Sequence, residues 1–217
     1  MSDASDDSLG IRKLGHRVFV GGNGDLWQRI GQLQFDFLHS RGLQPDHTVL
    51  DFACGSLRAG LHLVPYLEAG NYLGFDKSFD LIALGIAEEL GVPTFLEKRP
   101  QFVVNSRFDL SELPKRPDFA IAQSIFTHLT PADTRRAFSA IGAISAPHTQ
   151  LFATFFLREP DSPPNPPDSH SRLCFYYGTE EMRAFGTSSG WRMEYIGNWD
   201  HPRNQVMCRF TRETSHC

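Results

Sequence analysis

Thr48-Val49-Leu50-Asp51-Phe52-Ala53-Cys54-Gly55-Ser56-Leu57-Arg58-Ala59-Gly60 starts apolar and β-branched, reaches an acid and turns through Cys54-Gly55. It continues into Leu57, Leu61, Val64 and Leu67 at helical spacing. The pattern predicts a strand, a tight turn and a helix, the opening of an α/β nucleotide site. Gly55 at the turn lets the backbone approach a ligand, and the helix behind it offers free N–H groups. The acid narrows the ligand. A P-loop needs Gly-Lys-Ser/Thr here, and a pyrophosphate turn avoids a carboxylate beside the phosphates. Asp51 suits a ligand with a positive group, such as an amino-acid ammonium. The plainer reading of the same residues is a buried strand and a helix capped at Ser56.

Val49-Leu50-Asp51-x-x-Cys54-Gly55 resembles the first motif of class I S-adenosylmethionine-dependent methyltransferases, and the order of elements from about Gln44 to Phe210 is similar to theirs. The family's usual Asp-x-Gly-x-Gly-x-Gly becomes Asp51-Phe52-Ala53-Cys54-Gly55-Ser56-Leu57, which keeps only the middle glycine, with Gly60 one turn later. The resemblance implies an α/β, Rossmann-like three-layer sandwich. Its sheet has seven strands, mostly parallel, with an antiparallel last strand. It further implies S-adenosylmethionine as cofactor, with Asp51, Ala53, Gly55 and Ser56 around its methionine end and Leu57 pointing away. Arg58, on the first turn of the helix, meets a carboxylate or points to solvent.

At 217 residues the chain is most economically one domain, here 15–217, behind a polar, acidic tail over 1–14 expected to be disordered. A hydrophobic content of 41% supplies an ample core and excludes global disorder. The net charge is −4, from 21 basic against 25 acidic residues, so nucleic acid is a poor default partner. Cys54, Cys174, Cys208 and Cys217 form no CxxC pair and no zinc spacing. They read as scattered thiols of a reducing compartment, which points to the cytoplasm. No apolar run reaches transmembrane length, and the Asp/Ser-rich beginning is the opposite of a signal peptide.

Leu26, Ile30, Leu33 and Phe37 place one face of a leading helix over about 25–41, with Trp27, Gln28, Gln32 and Gln34 opposite. By the resemblance this helix lies over the cofactor, so Trp27 faces either the pocket or the core. Asn71–Lys77 reads as a second strand ending in an acid about twenty residues beyond the glycine turn. Asp76 there can accept both ribose hydroxyl protons, with Lys77 beside it. The alternative is a charge at a helix N-terminus, since Ser78 begins a helix with Phe79, Ile82 and Ile86 inward. Phe102–Asn105 reads as a third strand. By the resemblance, Asn105 and Ser106 meet the adenine amine, with Asp109 competing.

Pro117–Leu129 contains a buried strand ending near Gln123, where a parallel sheet presents residues to ligands, so Gln123 and Ser124 join the cofactor set. Ser124-Ile125-Phe126-Thr127-His128-Leu129 looks like the fourth-strand region of small-molecule methyltransferases. His128 is either a base for a substrate hydroxyl or a structural group bonded to a backbone carbonyl. Thr130-Pro131 caps a helix. Gln150–Leu157 is an apolar, central strand. Five prolines in Glu159–His170 forbid helix and strand, leaving a Pro-rich loop over 158–172, either a lid or a surface insertion. Thr179 caps a short helix, and Trp191–Ile196 and Gln205–Phe210 close the sheet as a hairpin. The loop between them holds Trp199-Asp200-His201-Pro202-Arg203, which a plain hairpin does not need.

The function expected is transfer of a methyl group to a hydroxyl or amine of a small or medium organic acceptor, with S-adenosylhomocysteine as product. Candidate bases are His16, His128 and His201. No metal is expected, because no acidic cluster has the spacing for one. An aminopropyl-type transferase and a non-catalytic cofactor-binding module on the same fold remain alternatives, the latter because of the lost glycines and Leu57. The acceptor and the oligomeric state are not legible.

Overall fold

A computed structural model describes residues 4–22 and 25–213, with side chains from residue 7 onward. They divide between two compact units, Asp3–Arg107 and Phe108–Cys217.

The first unit runs α1 (Ala4–Leu14), α2 (His16–Phe19), α3 (Leu26–Ser40), β1 (Val49–Phe52), α4 (Gly60–Tyr66), β2 (Tyr72–Asp76), α5 (Phe79–Leu84), α6 (Val92–Lys98) and β3 (Gln101–Val104), with π-helical Gly85–Leu90 continuing α5. The strands lie in the order β3-β2-β1, all parallel. β1 and β2 are buried along their whole length, as strands covered on both faces must be. Asp51 pairs with Gly74, and Asp76 closes β2 beside Val104. Both acids therefore sit at the C-terminal side of the sheet.

Three local expectations change. Residues 4–14, expected within the tail, form α1, which Ile11 anchors by its burial and which Lys77 and Asp80 hold by contacts to Asp7 and Ser8. The inward face of α3 is Trp27, Ile30, Gly31, Gln34 and Leu38, one residue round from the expected stripe. Gly31 explains the rotation: a Cβ there would lie 2.4 Å from the Arg58 carbonyl oxygen, so only glycine lets the helix sit so close. Phe79, expected inward, is 69% exposed, while Ile82 is buried as expected and Leu81 joins it.

The second unit runs β4 (Phe119–Ala122), α7 (Pro131–Ile144), β5 (Gln150–Leu157), β6 (Tyr176–Tyr177), α8 (Thr179–Thr187), β7 (Trp191–Gly197) and β8 (Val206–Arg212). Its strand order is β4-β5-β8-β7, with the short β6 added beside β5. β4 and β5 are parallel, and β8, the last strand, runs against both its neighbours. The class is thus α/β, mostly parallel, with an antiparallel last strand. Phe126 stacks on Phe138, which packs on Phe210, and Trp191 donates its indole N–H to the Phe138 carbonyl. Thr130 caps α7 as expected; α8 is capped at Gly178 rather than Thr179, with Glu181 accepting the Gly178 N–H.

Candidate functional site

The loop after β1 is turned three times into the left-handed region, at Ala53 (φ 68°), Gly55 (φ 53°) and Leu57 (φ 62°). Side chains at Ala53 and Leu57 hold a conformation that suits glycine, at a cost of order 1–2 kcal/mol each. The surroundings make this possible. Ala53 and Cys54 both donate backbone N–H groups to the Phe75 carbonyl, fixing the start of the turn. Leu57 is fully buried and fills the space left by two glycines: a Cβ at Gly60 would come within 3.0 Å of its Cβ, and one at Gly85 within 2.8 Å of its Cγ. Helix α4 starts only at Gly60, so Arg58 lies before the helix rather than on its first turn, and Ser56 does not cap it. The Arg58 guanidinium reaches the Val20 carbonyl at 3.4 Å.

Asp51 and Asp76 form the charged centre of this unit. Asp51 accepts the Tyr72 hydroxyl at 2.7 Å, and both groups are buried. Burial pushes Asp51 up to about 6, against the Tyr72 hydrogen bond and the Arg58 charge, with the Asp76 charge adding to the rise. Asp76 accepts the Gly55 N–H at 2.8 Å through one oxygen and the Ser78 N–H at 2.9 Å through the other. Its value is also raised by burial, which those N–H groups and Lys77 oppose. Burial raises the Cys54 thiol well above its ordinary range, with the Asp76 and Asp51 charges in the same direction. It is a packed thiol, not a nucleophile.

Other expected residues of this unit lie as follows. Trp27 is fully buried under the Arg17 guanidinium, whose Cζ is 4.8 Å from the ring, and its indole Nε1 has no hydrogen-bond partner. The Ser56 hydroxyl is likewise buried without a partner. Lys77 pairs with Asp7 of α1. Asn105 follows β3, donates its N–H to the Asp76 carbonyl and accepts the Arg107 N–H; Ser106 is exposed. His16 is held between Glu88 and Glu89, at 3.3 and 3.2 Å from Nε2, next to the bidentate Arg17–Glu89 pair.

In the second unit, β4 ends in a buried amide and hydroxyl cluster. Ser124, with φ 65°, donates its N–H to the Thr154 hydroxyl at 2.9 Å and exchanges hydrogen bonds with the Gln205 amide at 2.7 and 3.1 Å. Thr154 donates its own proton to Gln205 at 2.7 Å. Gln123 lies 2.6 Å from the Ser124 hydroxyl and 3.1 Å from His201 Nε2. Sequence reasoning missed Thr154 and Gln205. The signal for Thr154 was present, since it is the only polar residue between Leu151 and Leu157.

His201 and His128 differ in which nitrogen is occupied. His201 accepts the Arg203 N–H on Nδ1 and faces Gln123 with Nε2, so both nitrogens serve the fold. His128 places Nδ1 at 2.9 Å from the Leu173 carbonyl. A carbonyl only accepts, so Nδ1 carries the proton and Nε2 keeps its lone pair. Burial lowers the His128 value, against the Leu173 hydrogen bond, and the Arg203 and His170 charges lower it further. Leu173 directly follows the Pro-rich loop, whose hydrogen bonds fix its position. Asn165 exchanges two hydrogen bonds with the Tyr176 backbone, Ser169 bridges Asp133 and the Thr130 N–H, and the His170 N–H reaches the His128 carbonyl.

No group of three or more His, Cys, Asp or Glu side chains among the described residues is placed to hold a metal. No described helix is long and apolar enough to cross a membrane.

No family model matches the chain. Solved structures do share its fold. Magnesium protoporphyrin IX methyltransferase from Synechocystis PCC 6803, solved with bound SAH, superposes at TM-score 0.69 over 95% of this chain and 96% of that one, at 14% identity. A TehB-like SAM-dependent methyltransferase from Corynebacterium glutamicum superposes at 0.63, covering 97% and 100%, again at 14% identity. DesVI of Streptomyces venezuelae gives 0.62 over 98% and 99%, also at 14%. The chain has the fold of class I S-adenosylmethionine-dependent methyltransferases.

Proposed function

We propose that this chain is a methyltransferase that uses S-adenosylmethionine to methylate a hydroxyl or amine of a small organic acceptor. The observation that carries the reading is the loop after β1. Its three left-handed residues, the middle one bonded to Asp76, match in backbone the positions that the family fills with glycine.

The residues present fit this cofactor. Asp51 is a buried carboxylate that accepts the Tyr72 hydroxyl through one oxygen and suits a ligand with a positive group, and Ser56 and Trp27 offer buried polar atoms without partners. Asp76 gives one lone pair of each oxygen to the backbone and retains others for ribose hydroxyls. Asn105 supplies both a donor and an acceptor for an adenine edge. When bound, S-adenosylmethionine supplies an electrophilic sulfonium methyl for in-line displacement.

The chain's own part is to orient and to move a proton. For a hydroxyl acceptor, His128 Nε2 would take the hydroxyl proton and leave the oxygen's electron pair for the methyl carbon, whose bond to sulfur would break to release S-adenosylhomocysteine. His128 is suited to this, being neutral at pH 7 with its tautomer fixed by Leu173. His16 and His201 are proposed only as structural groups, since His16 Nε2 is held by Glu88 and Glu89, and the His201 nitrogens face the Arg203 N–H and Gln123. A neutral amine acceptor needs no base before attack. The free thiols Cys54, Cys174 and Cys208 support a reducing, cytoplasmic setting.

The non-catalytic alternative drew on Leu57, and the packing of Leu57 against Gly60 and Gly85 favours a working loop. Calorimetric titration with S-adenosylmethionine and, separately, NAD tests the class. Micromolar binding of the former alone is expected; binding of neither overturns the proposal. Binding without S-adenosylhomocysteine production across a broad acceptor panel favours the non-catalytic module.

A further inference from the structure

The β7–β8 loop is built more firmly than a hairpin connection requires. Trp199 is buried, donates its indole N–H to the Gln205 carbonyl at 2.9 Å and stacks on His201 with ring centroids 5.3 Å apart. Asn198 accepts the Asp200 N–H, His201 Nδ1 accepts the Arg203 N–H, and the His201 carbonyl accepts the Asn204 N–H. Gly197, Asp200 and Asn204 take left-handed φ values of 82°, 64° and 55°. A loop pinned this way fixes where its remaining side chains emerge.

Arg203 is the one that matters. Its Cζ lies 5.9 Å from the ring centroid of Phe156, near the C-terminal end of β5, and Phe156 packs on Tyr176 of β6 at 5.6 Å. Its guanidinium makes no hydrogen bond or ion pair among the described residues, and it lies close enough for its charge to act on His128. A guanidinium set over a ring keeps its N–H edge available, and that planar fork matches one carboxylate in charge and geometry.

We propose that the loop presents Arg203 as the anion-binding group of the acceptor site and that the acceptor is an aromatic hydroxy acid. Phe156 and Tyr176 offer flat faces for its ring, Arg203 meets its carboxylate and His128 faces its hydroxyl. This rests on the methyl-transfer reading above.

The test uses the full chain with S-adenosylhomocysteine and three probes, 4-hydroxybenzoate, 3,4-dihydroxybenzoate and 4-hydroxycinnamate, each beside its methyl ester. Binding is read by saturation-transfer NMR and tryptophan fluorescence. The acids should bind about ten-fold more tightly than the esters, the scale of one charge-assisted hydrogen bond. Arg203→Gln, whose melting temperature should be unchanged, should erase that preference, and His128→Asn should keep it. Equal affinity for acids and esters, an unchanged preference in Arg203→Gln, or no binding of any probe while S-adenosylhomocysteine binds, overturns the proposal alone. Failure of S-adenosylhomocysteine itself to bind overturns the methyl-transfer reading, and this proposal with it.

Discussion

The Asp76 carboxylate accepts the backbone N–H of Gly55 at 2.8 Å, joining the end of β2 to the middle of the loop after β1. One side chain thus belongs both to the ligand set proposed here and to the scaffold that shapes it.

Asp76→Ala should therefore do two things at once. Removing a carboxylate that accepts two backbone N–H groups in a buried setting costs about 2–4 kcal/mol of stability. Cofactor affinity should fall beyond what the lost folded fraction explains. Calorimetry well below the lowered melting temperature separates the two effects; unchanged affinity per folded molecule there would refute the ribose assignment.

Asp51→Asn should act in the opposite sense on stability. The folded value of about 6 exceeds the ordinary 3.8, so the folded chain holds the proton more tightly than the unfolded one between those values. Stability attributable to Asp51 thus falls as pH rises through that window, and above it the ionised, buried group costs about 3 kcal/mol. The variant should melt higher at pH 7 and gain little at pH 4, while losing cofactor affinity. A lower melting temperature at pH 7 would show that the Tyr72 hydrogen bond outweighs burial.

The left-handed loop residues should separate backbone from packing. Ala53→Gly relieves a strained φ but loosens the unfolded chain, so its net effect should stay within about 1 kcal/mol. Leu57→Ala empties a fully buried slot and should cost about 2–5 kcal/mol. Denaturant melts distinguish them, and equal costs would mean that the loop is held by something other than Leu57.

For His128, depression below the usual imidazole value sets the sign of two pH effects. Its contribution to stability is complete above about 6.5 and is lost as pH falls from there through the folded value. The base stays neutral over the same range, so the acidic limb of kcat should lie below pH 6.5. His128→Asn should lower kcat by about 100-fold, remove that limb and leave cofactor affinity alone. A limb that persists in the variant would assign it to another group.

How far the sequence could be read depends on the kind of signal. β5 and α7 were legible because an apolar run and a Thr-Pro cap are local. Asp51 and Asp76 were legible in position, since acids near strand ends stand out. The face of α3 was not, because Gly31 turns the helix toward Arg58 and hydropathy assigns glycine no side. Nor was α1, whose acidic residues look like a solvated tail until Lys77 is seen to take one. The occupied nitrogens of His16 and His201 depend on partners 72 or more residues away or on loop geometry, which no spacing encodes. Thr154 sits in a strand otherwise read as apolar, where a polar residue passes for tolerated noise, and Gln205 stands just before β8, where its partners lie across the sheet.

The loop's missing glycines have counterparts at Gly31, Gly60, Gly74 and Gly85, each so close to the loop or to a side chain beside it that a methyl group would collide. Room usually made within a motif is made here by its neighbours. A motif of alternating glycines does not describe this loop, and a Leu57→Gly substitution would leave a hole between Gly60 and Gly85. Neither glycine could refill that hole, since a Cβ at Gly85 would meet the Ser56 carbonyl carbon at 2.6 Å and one at Gly60 the Tyr72 hydroxyl at 2.9 Å.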